Sequence, residues 1–116
     1  MSITIYHNPR CSKSRQTLQL LQDRGIEPEQ VLYLDNPPTV KALAALLDKL
    51  GMTPRELLRK GEDAYKTLSL ADESLTDAAL LRAMVEHPKL IERPIVVKGD
   101  KAVLGRPPEN VLDLIA

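Results

Sequence analysis

Strand-like and helix-like patterns of apolar residues follow one another in the first third of the chain. Residues 3–6 form a short run rich in β-branched side chains, and the turn-forming pair at 8–9 ends it, which predicts a first strand. Residues 12–24 carry leucines at helical spacing, and Gly25 follows at the position of a C-terminal cap. A second apolar run at 31–34 predicts another strand. The opening segment is therefore a predicted βαβ unit.

The middle of the chain has helical patterns. Thr39 stands at the N-cap position of a leucine-rich stretch that ends at Gly51. Thr53 begins a short second helix. A proline follows at the first helical position, where it is favoured, and a glutamate stands at the third position, where it completes a capping box. Thr76 begins a third helix, whose apolar residues recur until Pro88 stops it. We therefore expect a run of helices between the two ends of the chain.

The last third of the chain returns to strands. Apolar runs at 95–97 and 102–104 flank a Gly-Asp pair, which is typical of a two-residue hairpin, and the run at 111–115 predicts a final helix. The order βαβ, helices, ββα predicts an α/β protein with a thioredoxin-like fold. We expect a mixed sheet of about four strands, with a helical insertion between its two halves, in a single domain over residues 1–116.

Composition narrows the possible partners and the cellular compartment. The 116 residues include 16 Lys and Arg and 16 Asp and Glu, so the chain lacks the net field that would hold nucleic acid or an anionic membrane. No apolar run approaches the length of a membrane span, and the N-terminal residues do not resemble a signal peptide. A lone cysteine cannot form an internal disulfide, which suits a reducing compartment. We therefore expect a cytoplasmic protein.

The candidate chemistry centres on Cys11, which opens the first predicted helix. Unpaired backbone N–H groups and the positive end of the helix dipole favour a thiolate at this position. The surrounding segment adds the cations Arg10, Lys13 and Arg15. A buried structural cysteine is the alternative, but a polar, cationic loop favours an activated nucleophile.

Spacing excludes two familiar thiol chemistries. Ser14 occupies the place of the second cysteine in a Cys-x-x-Cys motif, so an external thiol must complete any redox cycle. A phosphatase-type loop needs an arginine six positions after the nucleophile, where this chain has Thr17. A monothiol reaction therefore remains.

Arginines outside this loop are candidates for binding an anion. Arg59, Arg93 and Arg106 are each compatible with a solvated surface residue when taken singly. Arg93 and Arg106 flank the predicted hairpin, however, so both lie at one end of it, where their guanidinium groups could grip a tetrahedral oxyanion. His7 has two open interpretations: it orients or charge-stabilises the Cys11 thiolate, or it is a hydrogen-bonding residue at a strand end.

Five segments together carry a resemblance that spans nearly the whole chain. They are Ile-Tyr-His-Asn-Pro-Arg-Cys-Ser-Lys-Ser-Arg at 5–15, Leu-Tyr-Leu at 32–34, Leu-Leu-Arg-Lys at 57–60, Glu-Arg-Pro-Ile-Val-Val at 92–97 and Gly-Arg-Pro-Pro at 105–108. With these motifs the sequence resembles the glutaredoxin-linked arsenate reductases of the thioredoxin superfamily. It is most similar to their short housekeeping-type relatives. It has Cys-Ser-Lys-Ser-Arg where the arsenate-detoxifying members have Cys-Gly-Thr-Ser-Arg, and it stops shortly after the last predicted helix.

The resemblance implies a role for each candidate residue. The nucleophile matches Cys11, and the thiolate-supporting histidine matches His7. The oxyanion ligands match Arg59, Arg93 and Arg106. Ser14, Arg15 and a cis-proline at Pro94 take supporting positions.

The resemblance also implies a reaction without a bound cofactor or metal. Arsenate binds to the arginines, and the Cys11 thiolate attacks arsenic. Glutathione, the co-substrate, then attacks the adduct, and glutaredoxin releases arsenite and regenerates Cys11. Two alternatives stay open. One is a glutathione-dependent monothiol reductase of another substrate, and the other is a Spx-type regulator that binds RNA polymerase, whose Cys-x-x-Cys switch Ser14 argues against.

Overall fold

The computed structural model describes residues 2–115, so Met1 and Ala116 of the predicted domain over residues 1–116 lie outside the described residues. The helices and strands are β1 (Ile3–Tyr6), α1 (Ser12–Asp23), β2 (Glu29–Val31), α2 (Val40–Leu50), α3 (Pro54–Leu57), α4 (Asp63–Thr67), α5 (Asp77–Glu86), β3 (Ile95–Lys98), β4 (Lys101–Leu104) and α6 (Val111–Ile115). Their packing divides the chain into two compact units, residues 2–36 with 93–115, and residues 37–92. We call them the sheet unit and the helical unit.

The sheet unit contains the four strands in the order β2-β1-β3-β4. β1 and β2 run parallel, as a βαβ connection requires, while β1 with β3 and β3 with β4 run antiparallel. Ile5 of β1 and Val96 of β3 are fully buried and pack in one cluster with Leu21 of α1 and with Val111 and Leu114 of α6. The predicted four-stranded mixed sheet is therefore confirmed.

The second strand lies earlier in the sequence than the apolar pattern predicted. β2 covers Glu29–Val31, whereas the prediction placed it at 31–34. The backbone N–H groups of Asp35 and Asn36 both donate to the carbonyl oxygen of Leu32, so this stretch is a turn. Tyr33 is buried nevertheless. The apolar run at 31–34 therefore forms a turn with one buried side chain, and the predicted strand over these residues is wrong beyond Val31.

The helical unit follows the predicted cap residues closely. The Thr39 hydroxyl accepts a hydrogen bond from the third residue of α2, and Gly51 ends this helix with a φ of 68°. Thr53 and Glu56 form both hydrogen bonds of a capping box at the start of α3. Thr76 caps α5. The three predicted helices are confirmed.

The sequence pattern missed α4 for a physical reason. None of the residues of α4 is buried, so this short helix has no apolar stripe from which a period could be detected. Among residues 2–115 there is no helix that combines the length and the apolar character needed to cross a membrane.

Candidate active site

Cys11 occupies the N-cap position of α1, between the turn that follows β1 and the first turn of the helix. Its backbone is extended, with φ −93° and ψ 123°, and its N–H donates to the carbonyl oxygen of Asn8 at 3.0 Å. The side chain is half-buried. The N-cap residue of a helix faces the unpaired N–H groups of the first turn, so the sulfur lies where the predicted thiolate site requires it.

The surroundings of Cys11 favour its charged form. Burial of the sulfur raises the pKa of the thiol, but several groups together outweigh burial and hold the pKa below its ordinary value. They are the backbone N–H of Ser14, the positive charge of Arg93, the backbone N–H of Lys13 and a side-chain hydrogen bond from Arg93. The helix start therefore shares the stabilisation of the thiolate with an arginine from the other end of the sequence.

A buried hydrogen-bond network supports the loop that carries Cys11. The His7 Nδ1 lies 2.7 Å from Ser14 Oγ, and both side chains are buried. The same Ser14 oxygen accepts the backbone N–H of Asn8 at 3.0 Å. The side-chain oxygen of Asn8 in turn accepts a hydrogen bond from the backbone N–H of Arg10 at 3.0 Å. This network fixes the turn before Cys11, and it also fixes Ser14, whose backbone N–H faces the Cys11 sulfur.

His7 is neutral at neutral pH in this environment. Burial and then the positive charge of Arg15 lower the pKa of His7 below its ordinary value of 6.5. The lowered pKa disfavours the predicted stabilisation of the thiolate by charge. The hydrogen bond to Ser14 is compatible with the predicted orienting role and with the alternative of a hydrogen-bonding residue at a strand end. Arg15 also braces the loop, since its Nη1 donates to the carbonyl oxygen of Pro9 at 2.9 Å.

Arg93 and Arg106 lie next to each other at one end of the β3–β4 hairpin, as their spacing predicted. The Arg106 Nη1 lies 3.5 Å from the Arg93 carbonyl oxygen. The Arg93–Pro94 peptide bond is cis, which was expected from the resemblance. The Arg106–Pro107 bond is also cis, which the sequence did not indicate. The sheet unit thus brings Cys11, Arg93 and Arg106 into one region.

Arg59 belongs to the helical unit, where it follows α3. Its Nη1 lies 2.6 Å from a carboxylate oxygen of Glu62, and its Nε lies 3.6 Å from one of Glu92. Its backbone N–H donates to the carbonyl oxygen of Leu90 at 2.8 Å. These two carboxylates were missed in the sequence, although the i, i+3 spacing of Arg59 and Glu62 is typical of such a pair. Participation of Arg59 in an anion site stays a prediction.

Within the part of the chain that the structure describes, no group of three or more His, Cys, Asp or Glu side chains could hold a metal ion. Cys11 and Arg93 place a thiol next to a guanidinium group.

A lone activated cysteine at a helix N-terminus, beside a cis-proline loop on a four-stranded mixed sheet, defines a thioredoxin-like monothiol protein. The family model for the ArsC family matches residues 6–114. The chain therefore belongs to the ArsC family.

Relatives cover nearly the full length of the chain. It is 49% identical over 116 residues to an arsenate reductase of Haemophilus influenzae, covering 99% of this chain and 100% of the relative. It is 59% identical over 114 residues to the uncharacterized protein YfgD of Escherichia coli, covering 97% of this chain and 96% of the relative. The solved structure of an arsenate reductase from Vibrio cholerae has 54% identity and a TM-score of 0.95, covering 97% of each chain. The predicted family and the thioredoxin-like fold are thus confirmed.

Proposed function

We propose that this protein is an oxidoreductase that reduces arsenate to arsenite with glutathione and glutaredoxin. The observation that carries the proposal is the position of Arg93, whose guanidinium acts on the Cys11 sulfur by charge and by hydrogen bond. A cation at this place can hold an oxyanion against the nucleophile. The arsenate reductases among the relatives support the choice of oxyanion.

The proposed reaction transfers two electrons from two thiols to arsenic. The Cys11 thiolate attacks As(V) and forms a sulfur–arsenic bond, while a hydroxyl group of arsenate takes a proton from the solvent and leaves as water. A glutathione thiolate then attacks the Cys11 sulfur, the sulfur–arsenic bond breaks, and its electron pair leaves with As(III) as arsenite. Arsenite thus leaves at the glutathione step, earlier than the glutaredoxin step that the resemblance implies, and Cys11 is left in a mixed disulfide with glutathione. A glutaredoxin thiol takes over the glutathione and restores Cys11.

The residues of the sheet unit support separate parts of this reaction. The N–H groups of Lys13 and Ser14 favour the thiolate form of Cys11, and His7 orients Ser14. Arg93 and Arg106 are the proposed anion ligands, with Arg59 added from the resemblance alone. We further propose that the protein works in the reducing cytoplasm, where a lone thiol stays available and glutathione is abundant.

The test is arsenate-dependent oxidation of NADPH, coupled through glutathione reductase, glutathione and glutaredoxin. We expect turnover with the unchanged protein and none with Cys11→Ser, which keeps the helix start but lacks the soft nucleophile. Cys11→Ser also controls for arsenate reduction by glutathione alone. Absence of an arsenate-dependent rate above this control contradicts the proposal.

A second substrate class is favoured by the same monothiol site. Cys11 with Ser14 could equally reduce glutathionylated proteins, because that reaction also needs one activated cysteine and an external thiol. The same coupled assay with a glutathionylated protein in place of arsenate distinguishes the two. Ser14 is fully buried and bonded to His7, so a Spx-type dithiol switch at this position has no support.

A further inference from the structure

Thr17 lies on α1, on the side that faces the end of the β3–β4 hairpin, and it is fully buried. Its Oγ1 lies 2.8 Å from the carbonyl oxygen of Lys13 and 3.1 Å from that of Gly105, so its single proton is shared between the two in a bifurcated hydrogen bond. The first partner belongs to the turn of α1 that supplies N–H groups to Cys11. The second directly precedes Arg106. One hydroxyl therefore joins the thiolate side of the site to the arginine side.

Gly105 is packed too closely for any other residue. A Cβ atom at this position would lie 2.7 Å and 2.8 Å from the side-chain atoms of Thr17 and 2.8 Å from the ring of Pro94. These distances are shorter than real carbon contacts allow, and both neighbours are held in place by the fold. The Gly105 N–H also donates to the carbonyl oxygen of Pro94 at 2.9 Å. Gly105 is thus bonded to Thr17 on one side and to the residue after Arg93 on the other.

We propose that Thr17 and Gly105 are positioning residues that hold Arg93 and Arg106 at a fixed distance from Cys11. Neither touches a reacting atom. Gly105 directly precedes Arg106 in the chain and so fixes its position. Its hydrogen bond to Pro94, the residue after Arg93, also fixes the position of Arg93. The small size of Gly105 lets the hairpin approach α1, and the Thr17 hydroxyl sets the register of the two. This inference concerns the anion-binding geometry of the proposed function and can be tested without arsenate.

The test compares alkylation of Cys11 by iodoacetate and by iodoacetamide. The two reagents have similar size, but iodoacetate is an anion, so the ratio of their rates reports how close the guanidinium groups are to the sulfur. We expect Thr17→Val and Gly105→Ala to lower this ratio by about three- to fivefold, the size of a unit-charge interaction over a few ångström in water. The midpoint of the alkylation rate against pH should also rise, because Arg93 moves away from the sulfur.

Two variants separate positioning from loss of stability. Thr17→Ser keeps the hydroxyl and should retain the ratio and the midpoint of the unchanged protein. Val111→Ala shortens a fully buried side chain in the core of the sheet unit and should lower the free energy of unfolding while leaving the ratio unchanged. If Gly105→Ala fails to fold, the nearly isosteric Thr17→Val decides the question. The proposal is overturned if Thr17→Val keeps the ratio, if Thr17→Ser loses it, or if Val111→Ala lowers it equally.

Discussion

Replacing Arg93 by alanine should damage the proposed arsenate reaction more than any other arginine substitution. Arg93 interacts with the Cys11 sulfur by both charge and hydrogen bond, so it serves the nucleophile as well as the anion. Arg106 is exposed, with its Nη1 3.5 Å from the Arg93 carbonyl oxygen. Arg59 is already paired at 2.6 Å with Glu62, so an anion there has to replace an existing partner.

The size of the effect follows from the interaction that is removed. Loss of a charge-assisted hydrogen bond costs about 1.5 to 3 kcal/mol, which corresponds to a fall in kcat/KM of about ten- to hundredfold. Arg93→Lys should recover only part of this loss, because an ammonium group lacks the planar fork that binds two oxygens. The coupled arsenate assay measures both variants. The pKa of the Cys11 thiol should rise in Arg93→Ala, since a positive charge next to the sulfur is lost.

Arg24→Ala is the matched control for Arg93→Ala. Arg24 is an exposed arginine of the same unit, but it lies at the C-terminal end of α1, opposite to Cys11. Its removal changes the net charge equally and should leave kcat/KM unchanged. If Arg93→Ala stays folded and retains kcat/KM within threefold of the unchanged protein, or if Arg24→Ala loses as much, then Arg93 does not bind the anion and our assignment of the site is wrong.

Three further predictions follow from the site. Glu62→Gln should lower the KM for arsenate by up to about fivefold, since a half-buried ion pair worth up to ~1 kcal/mol no longer competes for Arg59; an unchanged or higher KM would mean that Glu62 only positions Arg59. Incubation with glutathione and arsenate should add one glutathione to Cys11 by mass spectrometry, and turnover without added thiol would refute the monothiol cycle. The pKa of His7 is lower in the folded protein than in the unfolded chain. As the pH falls below about 6.5, the unfolded chain therefore takes up a proton first. The contribution of His7 to the free energy of unfolding is complete above that pH and declines on acidification. Urea unfolding at pH 7.5 and 5.5 should show this decline, and His7→Gln should show less of it.

The elements that could be predicted from the sequence are those with a buried stripe or a cap residue. Thr39, Thr53 and Thr76 mark helix starts because their hydroxyls satisfy local N–H groups, which is a property of a few neighbouring residues. β2 was misplaced because its strand partners are set by pairing with β1, and its residues Glu29–Val31 are not buried. α4 has no buried residue at all and therefore no period. Local signals thus predict local structure, and the failures occur where tertiary contacts decide.

The candidate site divides in the same way. The position of Cys11 at a helix start, its monothiol character and the polar loop around it follow from nine neighbouring residues at 7–15. The neutral state of His7, the contact of Arg59 with Glu92 and the cis bond before Pro107 depend on contacts that no local pattern encodes. The adjacency of Arg93 and Arg106 could be predicted because a hairpin brings its two ends together whatever its side chains are.

These observations also show where the reactivity of Cys11 comes from. A neutral His7 supplies no charge to the thiolate, so the positive charge at the sulfur comes from Arg93, together with the N–H groups at the start of α1. The N–H groups are present wherever the helix is formed, whereas Arg93 arrives from the other end of the sequence only when the β3–β4 hairpin packs against α1. Full activation of the cysteine therefore requires the folded sheet unit, and a state in which the hairpin has detached contains a less reactive thiol. This coupling makes the thiolate most favoured in the state in which Arg93 is also placed to bind an anion, as the proposed function requires.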